Sequence, residues 1–251
     1  MNTVRTALVL ALGGFALAIP SPAEDSKETG SIVGVVKFKG PKPERKPNEA
    51  MLAQAFCKES CAGKAPLEEK WVFGRNGDDD TFANVLVYVS KGLEGRTFDP
   101  PKEPVVLDQV GCTYVPHVTA VMVGQTLEIR NSDATLHNVL CNPFKNRPFN
   151  DGMPVKGGKI EKVFSRPEFK IDLRCVLHPW MLAYVHVMEH PYYAITTSDG
   201  SFEIKGLPPG DYELSVKHES SRFAAEPATL AVKVVAGASQ KLDFVYSDKQ
   251  Q

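Results

Sequence analysis

The chain has 251 residues, with 29 Lys and Arg against 30 Asp and Glu, a formal net charge of −1. That balance excludes nucleic-acid binding through bulk charge, and the length allows one large domain or two small ones. Gly and Pro, 19 of each, are spread between short β-branched runs, which favours an all-β architecture.

Residues 1–23 read as a secretory signal. Arg5 supplies the positive start, residues 7–19 are apolar and uncharged, and Ser21, Pro22 and Ala23 offer small residues for cleavage. The apolar run is short for a membrane span. The expected destination is periplasmic or secreted, with no membrane span in the mature chain. Five cysteines suit an oxidising compartment.

The mature chain opens on a strand at 31–40, followed by a Pro-rich connector at 41–47. Asn48 is placed to cap a short helix through 49–55 that ends near Cys57. Residues 71–73 and 84–89 read as strands around the turn signal Asn76-Gly77. The unbroken run Val85-Leu86-Val87-Tyr88-Val89 suits a strand covered on both faces. Asp78, Asp79 and Asp80 read as a solvated loop, since no calcium-type ligand series follows. The residues at 24–104 thus supply N-terminal strands and a connector, and the prolines at 100, 101 and 104 mark a boundary.

A second texture fills 105–190. Short apolar strands at 105–108 and 118–123 lead into the alternating strand 126–130. Asn131-x-Asp133-x3-His137-Asn138 lies just past it. Residues 142–158 read as a polar surface loop, and 163–164, 169–173 and 183–188 as strands. Between the last two stands Cys175-Val176-Leu177-His178-Pro179-Trp180-Met181. Thiolate, imidazole and thioether within seven residues, with a second imidazole from another strand, match a trigonal His2Cys copper site with a long axial Met. Copper coordination implies that Cys175 is a thiolate.

On these two motifs the segment resembles the cupredoxins, the family of plastocyanin, amicyanin and azurin, with the tight ligand loop of amicyanin. The resemblance implies a Greek-key β-sandwich and one type 1 copper held by His137, Cys175, His178 and Met181. It also implies that Asn138 ties the two ligand loops together. By the same resemblance the ring edge of His178 reaches the surface; Pro179 stiffens the loop, and Trp180 and the apolar side chains beside it suggest a docking patch for a redox partner. The alternative is that Trp180 packs inward and supports Met181.

From 191 to 251 the pattern changes again. Asp199-Gly200 and Pro209-Gly210 are turns, and Phe202 and Ile204, then Tyr212, Leu214 and Val216, alternate between them. This stretch resembles the carboxypeptidase regulatory-like family, which implies a smaller transthyretin-like β-sandwich. Members of that family begin with glycine-spaced strands, and here such a pattern lies at Gly30 to Val36. About sixty residues make a thin sandwich. The N-terminal strands are therefore expected to complete the C-terminal sandwich, with the copper domain inserted between them. Two independent domains in series is the alternative. The whole arrangement resembles bacterial methylamine-utilisation or plastocyanin-like proteins.

Cys57, Cys61, Cys112 and Cys141 remain for disulfides. Four cysteines pair in three ways and the sequence does not choose; two disulfides are expected. A second metal site from His117 with Cys57, Cys61 and Cys112 is the alternative. Val185 and Val187 share one strand face, so His186 points away from the copper. His190 and His218 are expected on surface turns or strand ends. No G-x-S-x-G and no glycine-rich phosphate loop occurs. The expected function is single-electron transfer between periplasmic redox proteins, without enzymatic turnover. A copper carrier or buffer is the alternative, and a copper enzyme is disfavoured by the lack of a second ligand set.

Overall fold

The computed structural model describes residues 28–249, so the expected signal at 1–23 lies outside the described residues. Among them the chain is all-β, interrupted by a 3-10 turn at Glu49–Ala53 and one α-helix at Ala55–Ser60. No helix there is long and apolar enough to cross a membrane. The strands form two sandwiches.

The first sandwich carries the metal motifs. Its five-stranded sheet runs Phe149–Met153, His137–Cys141, Glu168–Arg174, Leu182–Met188, Val118–Met122. Its four-stranded sheet runs Gly158–Val163, Thr126–Asn131, Val105–Val110, Thr113–Val115. Leu107, Leu127 and Ile129 from one sheet meet Val139, Ile171, Leu173 and Val185 from the other in one buried core. Each such side chain contributes about 1.5–3 kcal/mol by leaving water. The antiparallel pairing of Arg174 with Leu182 places residues 175–181 at the end of the sandwich, as the connection between two core strands.

In the second sandwich, strands from both ends of the chain share sheets. Gly30–Lys39 pairs antiparallel with Ser201–Leu207 and parallel with Ser239–Lys241 and Phe244–Asp248. Leu86–Lys91 pairs with Tyr193–Ile195 and Gly210–Lys217. The chain therefore leaves this sandwich after Lys91 and returns at Tyr193. Gly34 lies where the first strand passes the Leu242 backbone; an added Cβ would sit 1.8 Å from the Leu242 carbonyl oxygen.

Residues 45–69 belong to neither sandwich. A bridge between Pro47 and Leu67 closes them into a cap, and Met51, Phe56 and Cys57 pack into the core of the first sandwich. The expected capped helix at 49–55 is corrected. Asn48 makes no side-chain cap, and a 3-10 turn followed by a helix starting at Ala55 replaces it.

Other local expectations change as well. Asp79 and Asp80 lie in the strand Asp79–Phe82, paired with Lys37 at 2.7 Å and Lys42 at 2.8 Å. That strand, and not 84–89, forms the hairpin with Phe73–Asn76. The loop expected at 142–158 contains the edge strand Phe149–Met153. His190 and His218 stand just past the strands Leu182–Met188 and Gly210–Lys217, at strand ends as expected, and the half-buried His218 ring packs 4.2 Å from that of Phe82. His190 is half-buried, with Nε2 2.9 Å from the Val89 carbonyl.

Candidate metal centre

His137 begins a core strand, and Cys175 and His178 sit on the connection facing it. The Nδ1 atoms of His137 and His178 approach to 2.9 Å. Cys175 Sγ is 3.4 Å from His178 Nδ1 and 4.0 Å from His137 Nδ1. All three residues are buried. A triangle with these sides is acute, and its circumcentre lies about 2.0 Å from each corner, close to the usual lengths of metal–imidazole and metal–thiolate bonds. Two nitrogens and a sulfur facing one another at such distances fit a shared soft or borderline cation.

The surroundings set the chemical state of each donor. His137 Nε2 donates to Asp133 Oδ2 at 2.9 Å, which leaves the Nδ1 lone pair for a metal. The Asp133 carboxylate also accepts the backbone N–H groups of Gly111 (2.7 Å) and Cys112 (2.8 Å). These bonds hold Cys112 in the left-handed region, with φ of 55°. Burial opposes the Asp133 charge, but His137 and the two backbone donors outweigh it and hold the carboxyl below its ordinary range. Burial likewise pushes the Cys175 thiol up, yet hydrogen bonds with His137 and His178 and with backbone N–H groups of Asn138 and His178 bring it down to about 5. The thiolate is thus the ordinary form near neutrality, as a soft-metal ligand requires.

The loop is closed on itself. Met181 N–H donates to the His178 carbonyl at 2.8 Å, and Cys175 N–H to the Met181 carbonyl at 3.2 Å. Met181 is buried in the same core as Cys175. Asn138 Oδ1 accepts the Val176 N–H at 2.7 Å, joining the His137 strand to the Cys175 loop.

The expected exposed edge of His178 is corrected: only 2% of this residue is accessible. The cap covers this end of the sandwich. Gln54 Nε2 donates to the Leu177 carbonyl at 3.3 Å, and Cys57 is bonded to Cys112. The expected docking patch is corrected in part. Trp180 turns inward, its Nε1 donating to the Cys112 carbonyl at 3.0 Å and its ring 5.3 Å from that of His178. Its remaining edge, with Pro179, lines a groove of about 700 Å³ beside His117 and Glu219.

The cysteines also depart from expectation. Cys57–Cys112 is a disulfide, whereas Cys61 and Cys141 are free thiols. Cys141 faces the apolar core, and burial pushes its thiol up to about 12. The alternative of a second site from His117, Cys57, Cys61 and Cys112 is not assembled. His117 is engaged by Glu219 (2.8 Å) and the Leu182 carbonyl (3.0 Å). The two bonded sulfurs lie by His178 instead. His186 points away from the triangle, buried at the junction of the sandwiches.

The Asp133 carboxylate gives a direct prediction. For a metal held by the triangle, Asp133→Asn is expected to weaken Cu(I) binding by about 10- to 100-fold, because His137 loses its charged partner. Competition with a coloured Cu(I) chelator measures it; an unchanged constant contradicts the role.

No protein-family model and no curated protein matches the chain. Among solved structures it is similar to the copper-containing nitrite reductase NirK from Thermus scotoductus SA-01, at 23% identity and TM-score 0.32 over 39% of this chain and 25% of that one. It is also similar to a purple cupredoxin from Nitrosopumilus maritimus, at 23% identity and TM-score 0.29 over 34% of this chain and 99% of that one. A methionine-to-alanine mutant of amicyanin in its Cu(I) form gives 20% identity and TM-score 0.31 over 41% of this chain and 98% of that one. The chain thus spans about a quarter of the nitrite reductase.

Proposed function

We propose that this is an exported protein whose His137, Cys175, His178 and Met181 would hold one copper ion, and that it passes single electrons between redox proteins. The observation that carries this reading is the convergence of two imidazole Nδ1 atoms and a low-pKa thiol on a point about 2.0 Å from each. Bound copper would supply a one-electron couple. The chain's own residues keep that couple in fixed surroundings. Asp133 orients His137, Asn138 and the turn through Met181 fix the Cys175 loop, and the core excludes water. Such rigidity favours fast electron exchange, since few atoms need to move. The Cys57–Cys112 disulfide suits an oxidising compartment. In this reading the second sandwich is a transthyretin-like scaffold of carboxypeptidase regulatory type, and the chain is a carrier, not a catalyst.

One observation favours a second reading. The cap over His178 obstructs the side from which a partner would reach the copper, which suits a copper carrier that does not turn over electrons.

Titration with Cu(II) tests both readings. One equivalent is expected to give an intense visible thiolate-to-copper band, and Cys175→Ser to abolish it, because a hydroxyl is a hard, weakly acidic ligand. A colourless wild-type protein that still binds one equivalent contradicts the blue-site reading. A reversible midpoint potential with fast exchange selects electron transfer, and a band without electron exchange selects the carrier.

A further inference from the structure

The cap is fastened where it covers the metal triangle. Cys57 Sγ, Cys112 Sγ and a ring nitrogen of His178 lie within 4.8 Å of one another, and all three residues are buried. Cys112 Sγ is equally close to His137 and Asp133. His178 uses Nδ1 toward His137 and Cys175, and its Nε2 makes no hydrogen bond among the described residues. Two sulfurs and an imidazole nitrogen thus lie close together among buried residues.

As a disulfide the sulfur pair is a poor ligand; as two thiolates it is a strong soft one. The conversion is a two-electron step. A dithiol attacks the S–S bond through a mixed disulfide and ends as its own disulfide, while Cys57 and Cys112 each gain a proton and become thiols. We propose that Cys57 and Cys112, beside His178, form a second site for one Cu(I), present only when their disulfide is reduced. Metal binding then displaces the two thiol protons. Sulfur–copper–sulfur bonding holds the ion, and His178 offers a further donor. The site joins the cap, through Cys57, to the imidazole of His178. The inference rests on the copper reading of the triangle for the identity of the metal.

The test compares oxidised and reduced full-length protein. A water-soluble phosphine reduces the disulfide, taking its oxygen from water to become the phosphine oxide, and is removed by desalting under nitrogen. Thiols are then counted in denaturant: three are expected in the oxidised protein and all five cysteines in the reduced one. Cu(I) is titrated against a coloured chelator. The expected result is one bound equivalent before reduction and two after it. The double variant Cys57→Ser, Cys112→Ser should stay at one under both conditions, and Cys61→Ser should still gain the second. No gain in wild-type protein with five counted thiols overturns the proposal. So does a gain that survives in the double variant or disappears in Cys61→Ser. Failure of the copper triangle is seen separately, as zero equivalents in the oxidised protein, and leaves the gain on reduction readable. The wild-type comparison requires no variant to fold.

Discussion

Between pH 6.5 and pH 4 the protein is expected to lose roughly 3 kcal/mol of folding stability through His186 alone, at about 1.4 kcal/mol per pKa unit. His186 is 2% exposed and its Nδ1 accepts the Lys170 backbone N–H at 3.3 Å. Burial lowers its pKa to about 3, assisted by the charges of Lys217 and Lys170. Above pH 6.5 the ring is neutral in both folded and unfolded chains and contributes no pH dependence. As the pH falls below 6.5 the unfolded chain takes up a proton that the folded chain refuses until about pH 3, so stability falls through that window. His218 adds to the same trend, since burial lowers it to about 3, with His117, His186 and Lys170 nearby. His117 acts in the opposite sense. Burial lowers its pKa, but Glu219 and Glu69 raise it above the ordinary value overall. Its contribution is complete below about pH 6.5 and is lost as pH rises through the folded value. Urea unfolding at pH 7, 5.5 and 4 checks the balance. His186→Gln keeps an acceptor for Lys170 and should flatten the acid limb. Parallel pH profiles for variant and wild type contradict the assignment.

Gly34→Val is expected to cost about 3 kcal/mol or more and to deplete folded protein at expression. Its Cβ would stand 1.8 Å from the Leu242 carbonyl oxygen and 2.8 Å from the Phe202 ring, and the first of these is backbone that cannot rotate aside. Here the first strand exchanges one parallel neighbour, Ser239–Lys241, for another, Phe244–Asp248. The crossing chain passes directly over the glycine. Gly77→Ala gives the contrast. Nothing lies within 4 Å of that position, and only its φ of 58° resists a side chain. About 1 kcal/mol is expected there. Denaturant midpoints for both variants test the ranking, and equal losses contradict it.

The metal triangle was legible because its chemistry is carried by residue type at short spacing. Cys175 and His178 sit on one connection, and His137 follows the alternating strand 126–130. Asp133 was legible as part of the same motif, although its grip on the Gly111-Cys112 turn was not. The cap was not legible. Residues 48–61 signal a helix and nothing about the surface it meets, so the burial of His178 depends on a packing that no periodicity encodes. The disulfide pairing was hidden for the same reason: Cys57 and Cys112 are 55 residues apart and meet only through that packing. The strand Phe149–Met153 lies between Pro148 and Pro154 and contains Gly152, which read as loop. Its edge position tolerates such residues.

The two crossings between the sandwiches sit side by side. Val89 N–H donates to the Tyr192 carbonyl at 3.1 Å, and Tyr88 pairs with Tyr193 in an antiparallel ladder. In modular terms, the whole first sandwich is spliced into what would otherwise be an ordinary β-hairpin, with donor and acceptor ends already abutting. A short turn joining those ends would restore a continuous scaffold. A different module whose termini lie equally close could occupy the same socket without altering the strands around it.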